Sequence, residues 1–243
     1  MVTAIAGVGT CERQWRPFLE RLAMPVLELS VPPARAVVVA PHPDDEVLAV
    51  GGLLALLARA GTRVEVVAVT DGEASHPGGS VPTADLARRR VAETRAALAA
   101  LGLPAVVHRL GLPDGGAMAL EQPVSDALQL DPSTWLLGPW QGEGHPDHEA
   151  VGRACVQAAD RDGARLLAYP VWTWHWACPD DLRVPWRQAL QVPLPAGVRA
   201  AKRRAVAAFA SQLRPLGPLA TDAPVLPPHV LARFARPFEV VLA

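Results

Sequence analysis

The chain has 243 residues, half of them hydrophobic, with 23 basic against 24 acidic side chains and a net charge of −1. That length suits one substantial domain over 1–243, and the balanced charge excludes the broad basic field that gathers nucleic acid or anionic lipid. No stretch offers the roughly 18 uncharged apolar residues of a membrane span. The three cysteines, Cys11, Cys155 and Cys178, read as small core residues of a reducing compartment rather than as a disulfide or metal set. A soluble, cytoplasmic protein is expected, with a homo-oligomer open.

The first 34 residues read as a helix and a strap packed on the body. Residues 36–40, a β-branched run without alternation, read as a central strand covered on both faces. Apolar residues then recur on a helical period over 46–60 and stop at Gly61. The alternation continues with VEVVAVT as a strand, 85–101 as a helix ended by Gly102, and AVVHRL and WLLGPW as strands. A helix over 146–160 and a strand over 164–169 follow, then one amphipathic helix over 198–212 and a last strand in FEVVLA. Strands alternating with helices predict an α/β fold, a Rossmann-like, mostly parallel sheet with helices on both faces. In such a sheet ligands bind at the C-terminal ends of the strands, where the strand order reverses.

Two strand-to-helix turns carry unusual charge. The first, PHPDDE at 41–46, places His42, Asp44, Asp45 and Glu46 at the rim of the sheet. Alone, it reads first as helix capping, because acids in a first turn favour the macrodipole and bond free amides. The second, QGEGHPDHEAVG, repeats His-Pro-Asp at the start of the next such helix. His42 with Asp45, and His145 with His148, are each three apart, so each pair can converge on one side of a first helical turn. Three histidines and several carboxylates across the two turns are the inventory of a catalytic zinc site with three protein ligands and an open water position.

These motifs resemble the LmbE-like, PIG-L-type zinc-dependent N-acetylglucosaminyl deacetylases, which carry an AHPDDE-like motif and a downstream HPDH motif. VTDGEASH at 69–76, RVAETRAALAALG at 90–102, LGLPDG at 110–115 and FASQ at 209–212 extend the likeness over about 35–212. The resemblance implies His42, Asp45 and His148 as metal ligands, Asp44 as general base and His145 as the electrophilic or acid partner. It also implies Arg90 and Asp114 as sugar contacts. The implied cofactor is zinc, with Fe2+ or another divalent ion acceptable to the same donors. The implied substrate is a small acylated amino sugar or glycoconjugate that loses its N-acyl, most simply N-acetyl, group.

The chemistry suits these residue types. On the roles the resemblance implies, a bound zinc would activate water and polarise the amide carbonyl, Asp44 would take the proton from the attacking water, and a charged His145 would stabilise the oxyanion or protonate the departing amine. A G-x-S-x-G nucleophile elbow, a G-x-G-x-x-G turn and a P-loop are all missing from the sequence. Two readings stand beside this one: an amidase acting on a non-acetyl N-acyl metabolite, and a non-catalytic sugar- or metal-binding protein on the same scaffold.

Other residues read more plainly. His76 and Asp71 are expected to serve a turn before they serve a substrate. His108 reads as a core or edge histidine, His229 as a loop residue, and the arginines at 88–90 as a solvated helix face. Trp172, Trp174 and Trp176 would share one face if extended. Burial against the core or an interface is then expected before stacking on sugar rings or an acyl chain. An aromatic hydroxyl that some of these deacetylases place shortly before HPDH is replaced here by Gln141, Gly142, Glu143 and Gly144.

Overall fold

The structure, a computed structural model, describes residues 7–243. In chain order its elements are α1 (Glu12–Leu22), β1 (Arg35–Ala40), α2 (Asp45–Arg59), β2 (Arg63–Ala68), α3 (Thr83–Leu101), β3 (Val106–Arg109), α4 (Glu121–Ala127) and β4 (Thr134–Pro139). They continue with α5 (Pro146–Asp162), β5 (Arg165–Tyr169), α6 (Thr173–Trp176), β6 (Ala189–Pro193), α7 (Ala196–Ala207), α8 (Ala210–Leu213), α9 (Pro228–Leu231) and β7 (Phe238–Leu242). Among the described residues the strands form one sheet in the order β3-β2-β1-β4-β5-β7-β6. β1 to β5 are parallel, and β7 runs against both its neighbours.

The alternation of β1 shows how both faces are covered. Ala36 and Val38 pack with residues of α2, α3 and α7, among them Leu54, Leu98 and Val198. Val37 and Val39 pack with Val124 of α4 and with Val151 and Ala154 of α5 on the opposite face. A doubly wound sheet results, as expected. Successive strands move outward from β1 through β2 to β3, and the chain then returns to the other side of β1 with β4, so the order reverses between β1 and β4. The two His-Pro-Asp turns follow these two strands.

α1 buries Trp15, Phe18 and Leu19 against the β6–β7 end of the sheet. The strap behind it joins the sheet edge where Val26 bridges Gln191. The expected helix and strap are therefore present within the described part of 1–34; residues 1–6 lie outside it. Inside the α2 layer, Glu239 of β7 accepts N–H bonds from Gly52 and Leu53, and Lys202 of α7 donates to both Leu48 O and Glu239. A side chain at Gly52 would meet Leu194 at 2.5 Å and Glu239 at 2.9 Å.

Four expectations need correction. The helix expected over 198–212 is two, α7 and α8, separated at Phe209, which is fully buried with φ −79° and ψ 55°. The break lets Ser211 donate N–H and O–H bonds to Glu93, and lets the Gln212 amide donate to Pro43 O beside the site. The three tryptophans are not an extended stripe, because 173–176 is helical. Trp174 is buried, Trp172 lines a cleft and Trp176 lies under the Arg183 guanidinium at 4.5 Å. Of the cysteines only Cys155 is a core residue; Cys11 is half-buried and Cys178 exposed. The arginine run is solvated at Arg88 and Arg89 but not at Arg90, which is 2% exposed. The strand β6 and the helix α4 were not expected from the sequence; β6 is short and ends on proline, and its place is set by pairing with β7.

Candidate active site

The first turn leaves β1 through His42 and enters α2 at Asp44, the N-cap residue. Asp44 makes no side-chain capping bond and sits at φ 132°, a conformation an L-residue with a side chain adopts only under strain. Its carboxylate is nonetheless 6% exposed and lines the cleft, so capping does not explain it. The second turn leaves β4 and enters α5 at His145, whose Nδ1 accepts the Asp147 N–H at 3.2 Å.

The two turns meet. His42 Nδ1 lies 3.2 Å from His148 Nε2, His148 Nε2 lies 3.2 Å from Asp45 Oδ2, and His42 Nδ1 lies 3.5 Å from Asp45 Oδ2. Ligand bonds of about 2.0–2.1 Å in tetrahedral array set donor atoms about 3.3 Å apart. The triangle therefore has the size a zinc-like ion requires, and all three donors belong to residues packed at the switch point. Each residue is supported from outside. His42 Nε2 faces Asp114 Oδ1 at 3.2 Å and Asp147 Oδ2 at 3.3 Å. Asp114 in turn accepts the Ala74 N–H, and Asp147 accepts the Gly115 N–H. His42, His145 and Asp147 form a second group of metal-binding size. It uses the face of His42 that outer carboxylates normally occupy when the other nitrogen binds metal.

Electrostatics follow the packing. Burial alone would lower the His148 pKa, but the Asp45 carboxylate outweighs it and, with Glu143, lifts it to about 9. Burial would raise Asp45, yet the His148 and His42 rings hold it well below the usual carboxylate range. Asp44 is pushed well up by burial and then by the Asp45 charge, and burial lifts Glu46 to about 7. His145 falls to about 3 through burial and the nearby His148 and His42 rings. With Nδ1 accepting the Asp147 N–H, the proton of a neutral His145 lies on Nε2.

The site opens into a cleft of about 390 Å3. One side is polar, with Arg90, Asp114, Ser75 and Gln212; the other is apolar, with Leu48, Val171, Trp172, Val225 and Leu226. Arg90 donates to Gly72 O at 2.8 Å, while its buried Nε and Nη2 have no protein partner. A Cβ at Gly72, where φ is +69°, would stand 2.2 Å from the guanidinium, so glycine there admits Arg90. The Trp172 ring lies 6.2 Å from His145 at an interplanar angle of 23°.

All seven residues singled out in the sequence as site candidates are brought to this cleft or its immediate wall. His76 and Asp71 do not line it: His76 bonds Ser75 and Ala223 O, and Asp71 pairs with Arg109. His108 faces Glu65 at the sheet edge, and His229 is exposed on α9. Asp147 and Glu143 were not assigned roles from the sequence. Asp147 was visible within HPDH; Glu143 had only its place between two glycines as a signal.

A doubly wound sheet with a His/His/Asp triangle and a strained buried aspartate at its switch point defines a site able to hold a divalent ion beside a buried carboxyl group. Residues 37–159 match the PIG-L family, GlcNAc-PI de-N-acetylase, and the chain belongs to that family. It is 36% identical over 166 residues to a 1D-myo-inositol 2-acetamido-2-deoxy-alpha-D-glucopyranoside deacetylase of Mycobacterium sp. (strain KMS), covering 56% of this chain and 53% of that protein. It is 30% identical over 136 residues to the diacetylchitobiose deacetylase of Thermococcus kodakarensis, covering 51% and 48%. The chain thus spans about half the length of these two relatives. Among solved structures, the A40926 pseudoaglycone deacetylase superposes with a TM-score of 0.60 at 26% identity, over 86% of this chain and 96% of the other. No helix of the described residues is long and apolar enough to cross a membrane.

Proposed function

We propose that the protein is a metal-dependent hydrolase that removes an N-acyl group, most simply acetyl, from an amino sugar or glycoconjugate. The observation that carries this is the tetrahedrally sized triangle of His42, Asp45 and His148 with Asp44 strained into the adjoining cleft. Those three residues would hold the ion, zinc or another divalent metal such as Fe2+. When bound, such an ion lowers the pKa of its water and polarises an amide carbonyl. Asp44, raised by burial, receives the proton from the attacking water. His145 offers Nε2–H to the developing oxyanion, and Asp44 delivers the proton taken from the water to the departing amine. Arg90, with two unpaired nitrogens, and Asp114 bind hydroxyls on the polar side of the cleft. The deacetylase names of the relatives support this reading, and the strain at Asp44, which metal binding alone does not require, favours an enzyme over a binding protein. The continuous sheet favours one catalytic domain, and the free thiols favour the cytoplasm.

The apolar wall of Leu48, Val171, Trp172, Val225 and Leu226 supports a second reading, cleavage of acyl groups longer than acetyl. Amine release from N-acetylglucosaminyl-inositol, diacetylchitobiose and N-acylglucosamines of increasing chain length tests both readings with the zinc- and iron-loaded protein. Release from acetylated sugars, lost in Asp44→Ala, is expected. Preference for long chains would establish the second reading, and no release from any of them by metal-loaded protein would falsify both.

A further inference from the structure

Glu143 stands where the sequence departs from the aromatic hydroxyl of some relatives, and the proposed mechanism leaves it unused. Its side chain is fully buried, a costly place for a carboxylate unless its oxygens are engaged. They are. Oε2 accepts the N–H groups of Val171 at 2.8 Å and Trp172 at 2.7 Å, and Oε1 accepts the N–H of Thr173 at 3.1 Å and its hydroxyl. These bonds fix the start of α6, and the Trp176 indole N–H adds a bond to Glu143 O at 2.7 Å. On its other side Oε2 faces His148 Nδ1 at 3.3 Å, a charge contact without hydrogen-bond alignment.

One carboxylate therefore touches both halves of the site: the outer nitrogen of a triangle residue, and the backbone of the wall that carries Trp172 beside His145. We infer that Glu143 is a positioning residue that holds His148 with Nε2 toward the metal position and, through the same oxygens, sets Trp172 against the cleft. This rests on the metal-site reading of His42, Asp45 and His148. The carboxylate charge 3.3 Å from Nδ1 favours the proton on that nitrogen and leaves Nε2 with its lone pair free. Loss of such an outer partner lowers metal affinity about 10–100-fold where it has been removed from comparable sites.

Glu143→Gln is nearly isosteric but places an NH2 group among N–H donors. The zinc Kd of full-length wild type and E143Q is measured by chelator competition, alongside the visible spectrum of the cobalt-substituted proteins and the circular dichroism of each. A 10–100-fold weaker Kd with a shifted cobalt spectrum and an intact fold is expected, together with a raised KM from displacement of Trp172. A folded E143Q with wild-type Kd and spectrum overturns the inference. Should E143Q not fold, Glu143→Asp, which keeps the charge but withdraws it by one methylene, is read the same way: wild-type Kd overturns the inference and a weaker one supports it. Failure of wild type to bind zinc or cobalt at all would instead overturn the metal-site reading beneath it.

Discussion

His42 Nδ1 and His148 Nε2 are 106 residues apart along the chain and 3.2 Å apart in space. Asp45 closes the triangle on both. Replacing either histidine leaves two donors, too few to retain the ion. His42→Ala and His148→Ala are expected to purify with little metal where wild type carries about one ion per chain, the three-ligand stoichiometry. Chelation of wild type should abolish turnover, restored by re-addition. Elemental analysis checks this, and unchanged metal content in both variants would disprove the convergence of the two turns.

Asp44 combines a strained backbone with a buried acid. Asp44→Asn should keep metal and lose about 10²–10⁴-fold in kcat, the share of a general base. Asp44→Gly should lose turnover equally yet gain on the order of 1 kcal/mol in stability, because glycine adopts positive φ freely and the strain is relieved. Thermal denaturation beside steady-state rates separates the two effects; loss of stability in D44G would contradict the strain argument.

Arg90 holds one bond to Gly72 O and leaves two nitrogens for a ligand. Arg90→Met should raise KM by about 10–100-fold, in keeping with loss of a charge-assisted hydrogen bond of roughly 1.5–3 kcal/mol, with kcat far less affected. An unchanged KM would remove Arg90 from substrate binding.

Gly52 lies under Leu194 and the Lys202–Glu239 pair. Alanine would gain up to about 1 kcal/mol of helix propensity, but its methyl group must displace a carboxylate fixed by three donors. Overpacking of this kind costs about 1–3 kcal/mol, so a net loss of stability is expected by chemical denaturation.

His76 is held neutral by burial, its pKa lowered despite the bond to Ala223 O. A histidine depressed in the folded state binds fewer protons than in the unfolded chain, so stability rises with pH through that range. The contact of 71–80 with 217–223 should weaken as pH falls below about 6.5, the unfolded value. Hydrogen exchange of these segments should accelerate there in wild type and less so in His76→Gln.

Much of the fold was legible because its signals are local. β-branched runs marked the parallel strands, and glycines closed the helices; Gly102, for example, ends α3 at φ +76°. The paired HPD turns announced the site because both follow parallel strands, whose C-terminal ends share one rim. The helix break at Phe209 was not legible: the segment is helical by period, and what interrupts it is burial of Phe209 and the reach of Ser211 and Gln212 to residues more than 100 positions away. Helicity in 173–176 was hidden for the same reason, since its first turn is anchored by the distant Glu143.

The doubly wound class, the two turns and the residue types that meet in them are readable from the chain, because periodicity and turn chemistry act between near neighbours. Folding alone sets the size of the donor triangle, the burial of Arg90 beside exposed Arg88 and Arg89, and the double contact of Glu143. Each depends on distances and on exclusion of water between segments that the chain does not place side by side until it folds.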